Sequence, residues 1–155
     1  MKRLIGMTIA AALGLALVGA STPARAAGTE DLDKMALMLH GVQAVYASTN
    51  IAMKGYRARL LTQEEATAEI ARNRQFLAVL SRCADRIERD AGPADYDQVS
   101  LAKDFLAVSS YLELALGSFE TFLNEGNELD IKLFDRQLAN AENAITRMLK
   151  RISGN

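Results

Sequence analysis

With 155 residues, half of them hydrophobic and only 6 % aromatic, the chain has material for one domain, and two Pro with ten Gly are too few breakers for a sandwich or barrel. Its 18 basic and 19 acidic side chains nearly cancel, which excludes a strongly electrostatic nucleic-acid binder. The single Cys excludes a disulfide framework and a cysteine zinc site, and the single His excludes any centre that needs two.

In chain order, residues 1–26 read as an export signal. Lys2 and Arg3 form a positive start, and Leu4 to Ala20 is an uncharged Ala/Leu-rich run. Ser21-Thr22-Pro23 breaks it, and Ala24-Arg25-Ala26 is a small-x-small cleavage site. No second apolar run is long enough to span a bilayer, so no membrane association is expected after cleavage. Losing Lys2, Arg3 and Arg25 shifts the net charge from −1 to about −4. The short apolar run and the Ala-x-Ala cut point to bacterial export, to the periplasm or the medium.

The remainder, 27–155, divides at Leu61-Thr62, Ala91-Gly92-Pro93 and Asn124-Glu125-Gly126-Asn127. Each break joins a helix stop to a helix start. Helices are therefore expected over about 30–60, 63–90, 95–123 and 128–152. Apolar residues recur at steps of three and four in every segment. The first runs Leu32, Met35, Leu39, Val42, Tyr46, Thr49, Met53, Tyr56, Leu60. The second runs Ala66, Ile70, Asn73, Leu77, Leu80, Ala84, Ile87. The third runs Ala102, Phe105, Ser109, Leu112, Leu116, Phe119, Leu123, and the fourth Ile131, Phe134, Leu138, Ala141, Ile145, Met148, Ile152. Leu37, Phe76, Val79, Leu101, Val108 and Phe122 are expected to widen these stripes.

Thr62 with Glu65 forms a capping box, Asp95 or Asp97 can cap the third helix, and Asn127 the fourth. Similar lengths and short loops predict an all-α, antiparallel up-down-up-down four-helix bundle. Leu61-Thr62 also opens like the LTxxQ motif of small periplasmic chaperones of the Spy and CpxP type. The fifth position is Glu65, the motif has no second copy, and the capping box accounts for both residues.

Bundles of this size can hold metal or haem, but a di-iron centre needs two Glu-x-x-His motifs and covalent haem needs Cys-x-x-Cys-His. Neither is present, and the last helix has no His to ligate a non-covalent haem, so no cofactor is expected. No nucleophile-base pair can be assembled around His40, so the chain reads as non-catalytic. Met35, Met38 and His40 offer soft ligands for copper, against the plainer reading of two packed methionines and a surface histidine. Cys83 reads as a small buried hydrophobe, as an intermolecular disulfide in a homodimer, or as a reactive thiol beside Arg82 and Arg86.

Four polar residues interrupt or border the seam. With midpoints aligned, Thr49 (or Asn50), Asn73, Glu113 and Arg136 fall at one level, with Tyr46 and Ser109 a turn away. They would form either a register-setting polar layer or a small ligand pocket. Arginines gather on the second helix, and acids outnumber bases over residues 90–142, which predicts either pairing between neighbouring helices or a basic edge that docks an anionic surface or partner. Two functional readings follow. One is an accessory, sensory or holding module that binds a protein partner through helix faces and charged edges. The other is a periplasmic carrier of a small ligand or copper. An exposed apolar stripe at Leu37, Leu61 or Leu133 would favour the first.

Overall fold

The computed structural model describes residues 27–91 and 96–152, with side chains from Asp33 onward. The signal-like segment 1–26 and the Gly92-Pro93 break lie outside the described residues. The described chain is four packed helices with no strand: α1 (Ala27–Arg57), α2 (Gln63–Asp90), α3 (Tyr96–Glu125) and α4 (Glu128–Ile152). None is long and apolar enough to cross a membrane.

Capping chemistry sets the helix ends. Glu65 N–H donates to Thr62 Oγ1 at 3.2 Å, and Thr62 N–H donates back to Glu65 Oε2 at 2.8 Å. These two bonds satisfy donors that the first turn of α2 would otherwise leave bare. The Thr62 backbone N–H, helped by its hydroxyl, holds the Glu65 carboxyl below its usual range. At the start of α4, Asn127 Oδ1 accepts from Leu129 N–H at 2.9 Å. Gly126 takes the left-handed conformation (φ 69°) that ends α3, two residues later than the spacing predicts.

The end of α1 differs more. The helix stops at Arg57, because Arg59 turns left-handed at φ 57°. Leu60 N–H then reaches back to Gly55 O at 2.8 Å, and Arg59 N–H to Tyr56 O at 2.9 Å. This is a Schellman closure with arginine where glycine is usual. It throws Leu60, expected on the seam, out to 79 % exposure.

Packing partners ascend one helix as they descend the next. Gly41 lies against Leu80 and Ser48 against Glu69 between α1 and α2. Glu88–Lys103 and Arg74–Glu120 link α2 to α3 in the same reversed order. Arg151–Asp104 and the Phe119–Phe134 ring contact do so for α3 and α4. Helices α1 and α3 each touch the other three, whereas α2 and α4 do not meet. The α1–α3 diagonal is therefore the short one.

The core is the expected seam with additions. Every predicted α3 position is buried, and so is every predicted α2 position except Ile87, which is half-buried. In α4 the terminal Ile131 and Ile152 are half-buried and the rest are buried. Tyr56, Phe119, Phe122 and Phe134 form an aromatic cluster with centroids about 6 Å apart. Helix α1 buries a second row, Met38, Val45 and Ala52. Of the flanking residues, Leu101 and Val108 are buried and Phe122 is half-buried. Leu37, Phe76 and Val79 are exposed instead, because they lie on the outer side of the α1–α2 pair, where no helix covers them.

Candidate functional site

The polar layer lies between α1 and α2. Thr49 is fully buried and Asn73 nearly so. The Asn73 amide nitrogen donates to Thr49 Oγ1 at 3.1 Å and to Ser48 Oγ at 3.2 Å. Ser48 in turn donates to Glu69 Oε1 at 2.5 Å. Arg72 closes the chain on Glu69 Oε2 at 2.7 Å. Five polar residues thus run from the core to the surface, each satisfying the next. Such a network resists a shift of α1 along α2, because a slip would strand buried donors and acceptors.

Glu113 and Arg136 do not join it. Glu113 lies on the exposed side of α3, 3.6 Å from Arg74 Nε, and Arg74 also pairs with Glu120 at 2.7 Å. Arg136 sits two residues past the buried Phe134, about 200° round the helix, and is exposed. The four-residue level drawn from aligned midpoints therefore reduces to the pair Thr49 and Asn73. Midpoint alignment fixes height along the bundle but not direction around each helix. Ser48 and Glu69 complete the layer and were missed. The signal was present, since Ser48 adjoins Thr49 and Glu69 stands one turn before Asn73.

Other polar groups are placed singly. Tyr46 is half-buried on α1; burial raises its phenol pKa, as do a hydrogen bond to Glu142 of α4 and that residue's charge. Ser109 is buried on α3 and Asp130 in the first turn of α4. Ser109 Oγ and Asp130 Oδ2 have no hydrogen-bond partner among the described residues.

Met35, Met38 and His40 are not brought together. Met35 packs in a small apolar cluster with Leu101 and Ala102, and Met38 belongs to the main core. His40 is exposed, with Nδ1 3.2 Å from Gln43 Oε1. A residue two positions past Met38 must point away from it. Among the described residues no three His, Cys, Asp or Glu side chains gather closely enough to hold an ion.

Cys83 is exposed, which corrects its reading as a buried hydrophobe. It stands one position N-terminal to the buried Ala84 and so lies off the inner seam. It borders an open groove of about 440 Å³ with Leu37, Met38, Arg86, Ile87 and Asp90.

Comparison with known proteins adds no further constraint. No family model matches this chain, and neither a curated protein nor a solved structure is significantly similar to it.

Proposed function

We propose that this chain is an exported, non-catalytic interaction module: an antiparallel up-down-up-down bundle that binds a protein partner through its outer faces and charged edges. One observation carries the reading. Leu37 is 66 % exposed at the lip of the α1–α2 groove, Phe76 and Val79 are exposed on α2 and Leu133 on α4, while Leu61 is half-buried against the core. Large apolar side chains left exposed on the outer faces of a bundle support a docking role. The interior supports the same reading. Its main polar cluster, from Asn73 to Arg72, is spent on itself, so a carried ligand would have to break bonds already made. Export rests on the order of Lys2, Arg3, the Leu4–Ala20 run and Ala24-Arg25-Ala26.

The test is native mass spectrometry of the protein isolated separately from the periplasmic and cytoplasmic fractions of its host. The expected result is a chain beginning at Ala27 with no small molecule or metal bound. A copper ion or a reproducible extra mass, released on denaturation, would replace this reading with that of a carrier. A chain still beginning at Met1 in the cytoplasm would overturn export.

A further inference from the structure

Helix α2 carries two seams. The inner one (Ala66, Ile70, Asn73, Leu77, Leu80, Ala84) is buried in the bundle. The outer one runs one residue behind it and on to the helix end: Arg72, Phe76, Val79, Cys83, Arg86, Asp90, with Glu65 and Glu69 preceding them in the same register. Its steps alternate four and three, the spacing of a helix that pairs with another helix. The six seam residues from Arg72 to Asp90 are exposed, Phe76 at 39 % and Val79 at 45 % among them. The apolar members occupy the middle, and charges of both signs occupy the ends.

We propose that this outer seam docks a second copy of the same chain, α2 against α2, antiparallel about a two-fold axis between Val79 and Cys83. The charge pattern selects this partner and this register. Reversing the helix puts Arg72 opposite Asp90 of the second copy and, by symmetry, Asp90 opposite its Arg72. Phe76 then faces Arg86 of the second copy, a guanidinium over a ring, and Val79 faces its Cys83. A parallel pairing would set Arg72 on Arg72, Arg86 on Arg86 and Asp90 on Asp90, three like-charge contacts. Placing Cys83 itself on the axis would set Phe76 against Asp90. Only the first register matches charge to charge and aromatic to cation. Arg86 and Asp90 have no ion-pair partner among the described residues, and the Arg72 side chain is 71 % exposed, though already held on one side by Glu69. The groove that holds Leu37, Cys83 and Arg86 borders the seam, so the second copy would also cover the exposed Leu37.

The test is sedimentation of the purified protein in reducing buffer over a range of concentrations. A concentration-dependent dimer is expected. Arg72→Asp and Asp90→Arg should each weaken it by about tenfold or more, since every reversal acts twice across the axis. The double variant R72D/D90R should restore it, because the pairs re-form with the signs exchanged. Circular dichroism checks that each variant is folded. Amide hydrogen exchange of the unmodified protein gives a second readout: protection over residues 76–86 should rise with concentration. A monomer at every concentration would overturn the proposal. So would a dimer indifferent to the single reversals, or a double variant no tighter than either one.

Discussion

Asn73 is a carboxamide in a place where the seam would accept leucine. Its amide nitrogen bonds both Ser48 and Thr49, so removing one partner strands the other in the core. Thr49→Val or Asn73→Leu alone should each cost about 1–3 kcal/mol, the usual penalty for an unmatched buried polar group. Together they should cost clearly less than the sum, because the double variant leaves no stranded pair between positions 49 and 73. Urea denaturation of the four members of the cycle measures this, and strict additivity would show that the bond does not couple the helices. The half of the layer formed by Thr49 and Asn73 was legible in sequence, as polar residues breaking two apolar seams. Glu113 and Arg136 were misassigned because one residue of helical rotation turns a side chain by about 100°, which no height alignment detects.

The helical elements follow from local chemistry, and their ends show which local rules prevail. The capping box at Thr62 was legible as a Thr followed by Glu three residues later, and both of its bonds form. Because Thr62 depresses the folded-state pKa of Glu65, the cap contributes in full above the unfolded carboxylate value of about 4.3 and is lost as pH falls through the lower folded value. Amide exchange in the first turn of α2, corrected for intrinsic rates, should therefore quicken as the pH drops below about 4. Glu65→Gln, which keeps a side-chain acceptor, should remove most of that pH dependence. Acid-insensitive protection in the unmodified chain would contradict the account. The end of α1 was not legible. Arginine has no preference for a left-handed backbone, so nothing at Arg59 announced a stop three residues short of Leu60. The closing bonds to Gly55 and Tyr56, with Leu61 packed against Gly55, outweigh the cost of that conformation.

Charge is organised at the scale of the whole molecule. Pairing between neighbouring helices is one of the two outcomes expected from the arginines of α2 and the acids of α3, and it is found, joined by one pair of the reverse polarity. Arg74 lies between Glu113 and Glu120, and Lys103 reaches Glu88. Such half-exposed pairs contribute little individually. Arg74→Met should lower stability by no more than about 1 kcal/mol at low salt. The difference should shrink as salt is added, since exposed charges are screened over about 10 Å at 0.1 M. Thermal unfolding at several ionic strengths checks this; a loss that salt does not reduce would mean that the Arg74 stem matters by packing. Arg86, which has no ion-pair partner among the described residues, lies on the outer flank of α2, the face inferred to meet a second copy.

The sequence by itself determined that the chain is helical, where three of the four helices begin and end within about two residues, and which residues form the α2, α3 and α4 seams. These properties depend on neighbours three or four positions apart, and such neighbours can be read along a line. Only the tertiary structure decided which flanking residues are covered. Leu101 and Val108 lie toward the short α1–α3 diagonal and are buried; Leu37, Phe76 and Val79 lie on the uncovered side of α1–α2 and are exposed. It also decided that Asn73 answers to Ser48 and Thr49, that Arg74 takes the acids of α3, and that Cys83 faces outward. Each of these outcomes depends on the rotation of one helix about its axis relative to another, a quantity set by the packing of the entire core.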